Sequence, residues 1–201
     1  MDRSVRVLLD VNIFVANIMA YDRGHTGTAT QSLVSMVSAQ TWGMTRKSQL
    51  IISFEMIDTL EAVLRRMHFS EDRIKAYSGS IIDIMRSGPE QLDPYLILGG
   101  EERFAMPDIE DAGVLATAFA ADADLLVTDN LSDFTTKDSV VINTQRLNTK
   151  ASGPRILQAL RYQVGGGDLV VAHPFDVMQW LRLGYDFKPD ALWQILKDST
   201  R

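Results

Sequence analysis

A chain of 201 residues with 46% hydrophobic and 23% charged residues has the make-up of an ordinary globular protein and the length for one large domain. It contains no cysteine, which excludes a disulfide framework and thiolate-held metal and suits a reducing cytoplasm. The formal charge of −6 is unevenly spread: residues 89–138 hold 12 acids and 2 bases, the remainder 14 acids and 18 bases. That distribution argues against a general nucleic-acid coat and allows a carboxylate site that needs cations before a phosphodiester can approach. Val5 to Leu9 is too short for a signal h-region. No apolar run approaches the ~20 residues of a membrane span, so a cytoplasmic protein without membrane contact is expected.

Val5 to Leu9 reads as a first strand, ending in Asp10-Val11-Asn12, and Ile13 to Met19 as a helix capped by Asn12. Tyr21 to Gly27 is a loop and Thr28 to Ala39 a second helix. Gln49 to Ile52 is the next strand, closed by Ser53. From Phe54 to Met67, apolar Met56, Ile57, Leu60, Val63, Leu64 and Met67 fall on one helical stripe. Ser70-Glu71-Asp72 starts a helix over Glu71 to Arg86. Gly88-Pro89 breaks it, and Tyr95 to Leu98 is a third strand.

The stretch from Pro107 to Phe134 opens with Asp108, Glu110 and Asp111, continues as an apolar-faced helix, and passes into a short strand, Leu125 to Val127. It ends in Thr128-Asp129-Asn130 and Asp133-Phe134. Val140 to Ile142 is a fifth strand, Pro154 to Tyr162 a short helix, and Gly165 to Gly167 a turn. Leu169 to Val171 is extended and Phe175 to Leu183 helical. The alternation predicts an α/β fold with a mainly parallel sheet of about five strands, a domain over 1–183 and a C-terminal tail over 184–201.

Asp10, Asp111, Asp129 and Asp133 sit where strand ends would gather them, in the crevice where parallel α/β sheets bind ligands. Clustered carboxylates repel, and such a site calls for a cation or protons. Mg²⁺ and Mn²⁺ favour carboxylate and water oxygens and can activate water at a phosphodiester. His25, His68 and His173 show no ligand spacing, which sets zinc aside. Taken singly, Asp10 reads equally well as a helix cap, Asp111 as a charge favouring a helix N-terminus, and Asp129-Asn130 as a turn. A phosphotransferase of the haloacid-dehalogenase kind also begins with a strand ending in Asp. It needs a second acid where Asn12 stands.

Four segments carry a resemblance: VLLDVNIFVANIMA, LIISFEMIDTLEAVLRR, EDAGVLATAFAADADLLVTDNLSDF and HPFDVMQWL. Together they resemble the PIN-domain nucleases, metal-dependent ribonucleases that include toxins of bacterial toxin–antitoxin pairs. The resemblance implies a Rossmann-like α/β/α sandwich and a Mg²⁺- or Mn²⁺-dependent endoribonuclease acting on RNA, with an antitoxin and a homodimer as further partners. It assigns catalysis to Asp10, Asp111 and Asp133, metal binding to these and Asp129, and supporting or substrate-binding roles to Asn12, Ser53, Thr128 and Asn130. The acid after the VT strand corresponds to Asp129 or Asp133. The chain departs from the pattern at two places: Thr59 stands where the family has a glutamate, and neutral Asn130 at an expected acid. Glu55, one turn from Thr59, is a candidate to take over, and a PIN-like binding module with weak or no catalysis is the alternative.

Overall fold

The computed structural model describes residues 3–44, 46–99, 104, 106–149 and 153–185, with the backbone alone at 144–149 and 153–155. In it the run Val5–Leu9 becomes β1, with Val5, Val7, Leu8 and Leu9 fully buried. A strand covered on both faces has to be apolar nearly throughout, and this is why β1 sits in the sheet centre. β3 (Arg46–Ile51), β4 (Leu125–Val127) and β7 (Gly167–Ala172) are the other strands of the parallel centre; β4 is apolar throughout, β7 from Leu169 on, and β3 only at Leu50 and Ile51. Three further strands, β2 (Thr41–Trp42), β5 (Ser139–Thr149) and β6 (Gly153–Val164), attach antiparallel. The order is β2-β3-β1-β4-β7-β6-β5.

Parallel strands need long crossovers, and helices supply them here. α1 (Val11–Asp22) and α2 (Ala29–Ser38) lead from β1 to the β2–β3 hairpin. α3 (Phe54–Arg66), α4 (Glu71–Ser87) and α5 (Ile109–Ala120) lead from β3 to β4, and α6 (Pro174–Arg182) follows β7. None of the described helices is long and apolar enough to cross a membrane.

The α/β architecture with a parallel centre is the one expected from the sequence, and four local readings are corrected. The sheet has seven strands, because the short edge strand β2 and the hairpin partner β6 extend it. The cap of α1 is Asp10, whose Oδ1 accepts from Val11 N at 2.7 Å, so Asn12 lies inside the helix. Tyr95 to Leu98 makes a single bridge between Tyr95 and Ser53 and no strand. Tyr95 and Ile97 pack against the core while Leu96 and Leu98 stay 64% and 88% exposed, so the segment alternates like a strand but pairs at one residue only.

The fourth correction is Pro154 to Tyr162, which is strand and not helix. Leu, Gln and Ala in Ile156-Leu157-Gln158-Ala159-Leu160 favour a helix locally. Here pairing with β5 on one side and β7 on the other overrides that preference. Burial follows the period of two, with Ile156 and Gln158 outward and Leu157 and Ala159 inward. Residues 186–201, most of the expected tail, lie outside the described residues.

One contact in β6 bears on the site. The buried Tyr162 hydroxyl donates to the carbonyl of Phe134, itself fully buried, and so pins the loop that carries Asp133. Tyr162→Phe is expected to cost about 1–2 kcal/mol, since it leaves a buried carbonyl without its donor. Chemical denaturation measures this, and an unchanged midpoint would show that the loop needs no such pin.

Candidate active site

Asp10 follows β1 directly and opens α1, so the strand end and the helix start fall on one residue. Its carboxylate is only 6% exposed and takes three donors. Oδ1 accepts from Val11 N at 2.7 Å, and Oδ2 accepts from Asn12 Nδ2 and from Thr128 Oγ1, both at 2.7 Å. Burial nevertheless pushes the Asp10 carboxyl above the usual range, against these hydrogen bonds and with help from the charge of Asp133.

Thr128, fully buried at the end of β4, joins the two central strands. Its Oγ1 donates to Asp10 and accepts from Asn12 Nδ2 at 3.0 Å and from Asn130 N at 3.1 Å. Asn12 completes the stitch, because its Oδ1 accepts from Asp129 N at 3.1 Å. Asn12, Thr128 and Asn130 therefore set the shape of the site with neutral groups.

Asp111 lies in the first turn of α5, behind the cap residue Asp108. Its carboxyl is pushed up to about 6, first by burial and then by the charges of Asp10, Asp108, Asp133 and Glu110. Asp10, Asp111 and Asp133 thus act on one another although 118 residues or more separate the first from the β4 loop. Among the described residues none of these three forms an ion pair. Other acids of the same acidic stretch do: Glu90, Asp122 and Asp124 at the opposite edge of the sheet pair with Arg3 or Arg6, and Asp93 pairs with Arg86.

The two acids after β4 diverge. Asp133 accepts from the Asn130 amide and faces the Asp10–Asp111 pair electrostatically. Asp129 turns to His173, whose Nε2 lies 2.9 Å from its Oδ1. His173 caps α6, with Nδ1 accepting from Phe175 N at 3.1 Å, so its ring proton sits on Nε2 and points at Asp129. Sequence reasoning missed this residue. The available signal was a His-Pro pair after the last strand, which is a helix-cap signal as much as a ligand signal.

A cavity of about 240 Å³ opens beside Asp10 and Asp111 and is walled by α3 and α5. Ser53, Glu55, Met56 and Thr59 line it from α3 and its cap, Val114 and Thr117 from α5. Thr59, where the resemblance leads one to expect a glutamate, lines the cavity. Glu55 lines the same cavity but is exposed and held loosely by Ile97 N at 3.4 Å. Ser53 is spent as the cap of α3, accepting from Met56 N.

The donor set is hard oxygen only, which suits Mg²⁺ or Mn²⁺. Burial first and neighbouring like charges second raise the Asp111 carboxyl, and a bound cation would relieve both. Asp10, Glu55, Glu110 and Asp111 line the cavity and Asp129 and Asp133 do not; among the described residues, no three acidic or histidine side chains are grouped closely enough to chelate an ion as they stand.

A model of the PIN-domain family matches residues 6–132, more than half of the chain. No curated protein and no solved structure matches it. The matched span contains Asp10, Ser53, Thr59, Asp111, Thr128, Asp129 and Asn130, and stops one residue short of Asp133.

Two outcomes follow from the electrostatics. A folded-state carboxyl at about 6, against ~3.9 when unfolded, contributes stability below pH ~4 and loses it as pH rises through about 6. Metal-free Asp111→Asn should thus melt higher than the wild type at pH 7, and the gap should close below pH ~4. Thermal unfolding across that range in a chelator checks it, and an asparagine variant that is weaker at pH 7 would make Asp111 a structural residue. Thr59→Glu adds an acid to the cavity wall and should tighten Mn²⁺ binding by ~10-fold or more in calorimetry. Unaltered affinity in a folded variant would mean that position 59 does not reach the ion.

Proposed function

The chain belongs to the PIN-domain family, and from that premise we propose that it is a Mg²⁺- or Mn²⁺-dependent endoribonuclease. The observation that carries the reading is the mutually repelling set Asp10, Asp111 and Asp133 at the carboxyl edge of β1 and β4, which has no ion-pair partner among the described residues. That sets them apart from Glu90 and Asp124, which pair with Arg6 and Arg3. When bound, the divalent ion supplies positive charge for the phosphate and lowers the pKa of water.

The residues of the chain do the rest. Asp10 is a fixed point, because three hydrogen bonds and burial deny it other rotamers. Asp111 and Asp133 are the adaptable donors, one half-buried and the other exposed on a loop pinned by Phe134. Asn130 donates to Asp133 and holds it, a task an acid at 130 would oppose by repulsion. The overall reaction adds water across a phosphodiester P–O bond, leaving a phosphomonoester on one fragment and a hydroxyl on the other.

Thr59 supports a second reading, an RNA-binding module with weak catalysis, since the cavity wall there lacks a charge. The two readings part on one measurement. Asp133→Asn should lower Mn²⁺-dependent cleavage of single-stranded RNA by at least ~10²-fold while leaving the fold intact. A wild type that binds Mn²⁺ weakly and cuts no RNA in a gel assay would give the reading to the binding module. The narrower role of a cytoplasmic toxin held by an antitoxin is tested by growth arrest on expression, with Asp133→Asn as the inactive control.

A further inference from the structure

The cavity beside Asp10 and Asp111 offers a second chemistry, which the carboxylates do not use. Along α5, Glu110, Gly113, Val114 and Thr117 line it at spacings of three and four, on one face of the helix. Glu55, Met56 and Thr59 line it from α3, so the cavity is a slot between two helix faces. Buried Val11, Met56 and Val114 make apolar walls, and Ile109, 75% exposed, stands at the rim. A hydrated ion gains nothing from such walls, because its water shell would lose hydrogen bonds against hydrocarbon. They suit a flat, weakly polar group, and a thioether such as that of Met56 favours an aromatic ring.

The space exists because small residues face it. A Cβ built on Gly113 meets no atom within 4 Å, and Thr59 is the short side chain of the opposite wall. A glycine inside a helix weakens it relative to alanine. Here that glycine leaves room in the slot, at a position where a side chain would meet no obstruction. At about 240 Å³ the cavity is smaller than the ~300–1,000 Å³ of pockets that take drug-sized ligands. It has room for one ring system.

Hydrogen bonding selects which ring. Among the described residues that line the slot there is no Lys, Arg, His, Asn or Gln. The Thr117 hydroxyl spends its proton on the Gly113 carbonyl at 2.8 Å, and Ser53 Oγ accepts from Met56 N. Exposed Glu55 and Glu110 add carboxylate oxygens. The slot therefore accepts many more hydrogen bonds than it donates. Of the RNA bases, guanine alone sets a ring N–H and an amino group side by side on its pairing edge, a match for one carboxylate. Uracil sets two carbonyls on that edge, and acceptors facing acceptors stay unsatisfied.

We propose that the slot between α3 and α5 is a base pocket that takes one guanine of an RNA strand. The proposal rests on the ribonuclease reading for its choice of polymer and adds base selection to it. Single-stranded RNA is read in this way, by bases splayed out of the stack and bonded along their edges. Asp10 and Asp111 line the same cavity, so the guanine belongs to a nucleotide flanking the cut. Glu55 and Glu110 are then readers of the base, while Asp10 and Asp111 serve the ion.

The test uses the full chain and two labelled pentaribonucleotides, one all uridine and one with guanosine at its centre. Affinity is read by fluorescence anisotropy in Ca²⁺ and cleavage by gel in Mn²⁺. The guanosine strand should bind at least ~10-fold tighter, within the discrimination that a bidentate base contact supplies. Gly113→Leu fills the slot. It should abolish that difference, keep the Mn²⁺ affinity of the wild type in calorimetry, and melt no lower, since a glycine leaves the helix. If Gly113→Leu does not fold, Glu55→Gln combined with Glu110→Gln, both at exposed positions, should bring the guanosine preference close to unity. Equal affinity of the wild type for the two strands, with RNA still cut, overturns the pocket and leaves the nuclease. A guanosine preference without cleavage upholds the pocket and removes the catalytic reading. A preference that survives Gly113→Leu puts the reader elsewhere and overturns the proposal. So does a doubly substituted protein that loses Mn²⁺ affinity and keeps the preference, which gives those acids to the ion. A wild type that binds neither strand ends both readings.

Discussion

The structure turns on one buried carboxylate. Asp10 closes β1 and opens α1, and it survives burial only because Val11 N, Asn12 and Thr128 all donate to it. An unpaired charge in that position would cost several kcal/mol or take up a proton. Meeting that demand brings the ends of β1 and β4 together and fixes where Asp129 and Asn130 begin. The residue is therefore a helix cap and a candidate ligand at once, two roles that sequence reasoning treats as alternatives. Its replacement disturbs both, which is why Asp111 and Asp133 are the cleaner probes of chemistry.

Charge elsewhere in the acidic stretch divides by location. At the amino edge of the sheet, Arg3 and Arg6 answer Glu90, Asp122 and Asp124. Asp124 still has its carboxyl pushed up to about 6, because burial outweighs its hydrogen bonds and its pairing with Arg3. At the carboxyl edge, Asp10, Asp111 and Asp133 face one another without a cation from the described residues. The same residue type thus serves the fold at one end of the strands and is left over at the other. Thr59 and Asn130 reduce that surplus without removing it, since both remain at the site as neutral groups.

Much of this was legible in the sequence where one local rule decided the outcome. The strands at Val5–Leu9 and Leu125–Val127 are continuous apolar runs, and α3 announces itself by its stripe. The positions of Asp10 at a strand end and Asp111 in the first turn of a helix were legible, because local pattern decides both. What escaped depends on partners far away in the chain. Ile156 to Leu160 prefers a helix until two strands flank it. Tyr95 to Leu98 has strand-like residues but pairs only through Tyr95 and Ser53, with Leu96 and Leu98 left exposed. His173 matters through Asp129, 44 residues earlier, and no spacing rule connects a cap to a loop across the sheet.

That His173–Asp129 contact has a consequence for what counts as the unit of this protein. The span matched by the family model ends at residue 132, but β4, only three residues long, has β7 as its outer neighbour. A chain ending there would leave β4 as a bare edge, and the loop after it would lose both the histidine and the Tyr162 pin. Later residues finish the architecture of the matched span, and change in them reaches Asp129 directly and Asp133 through its neighbour Phe134.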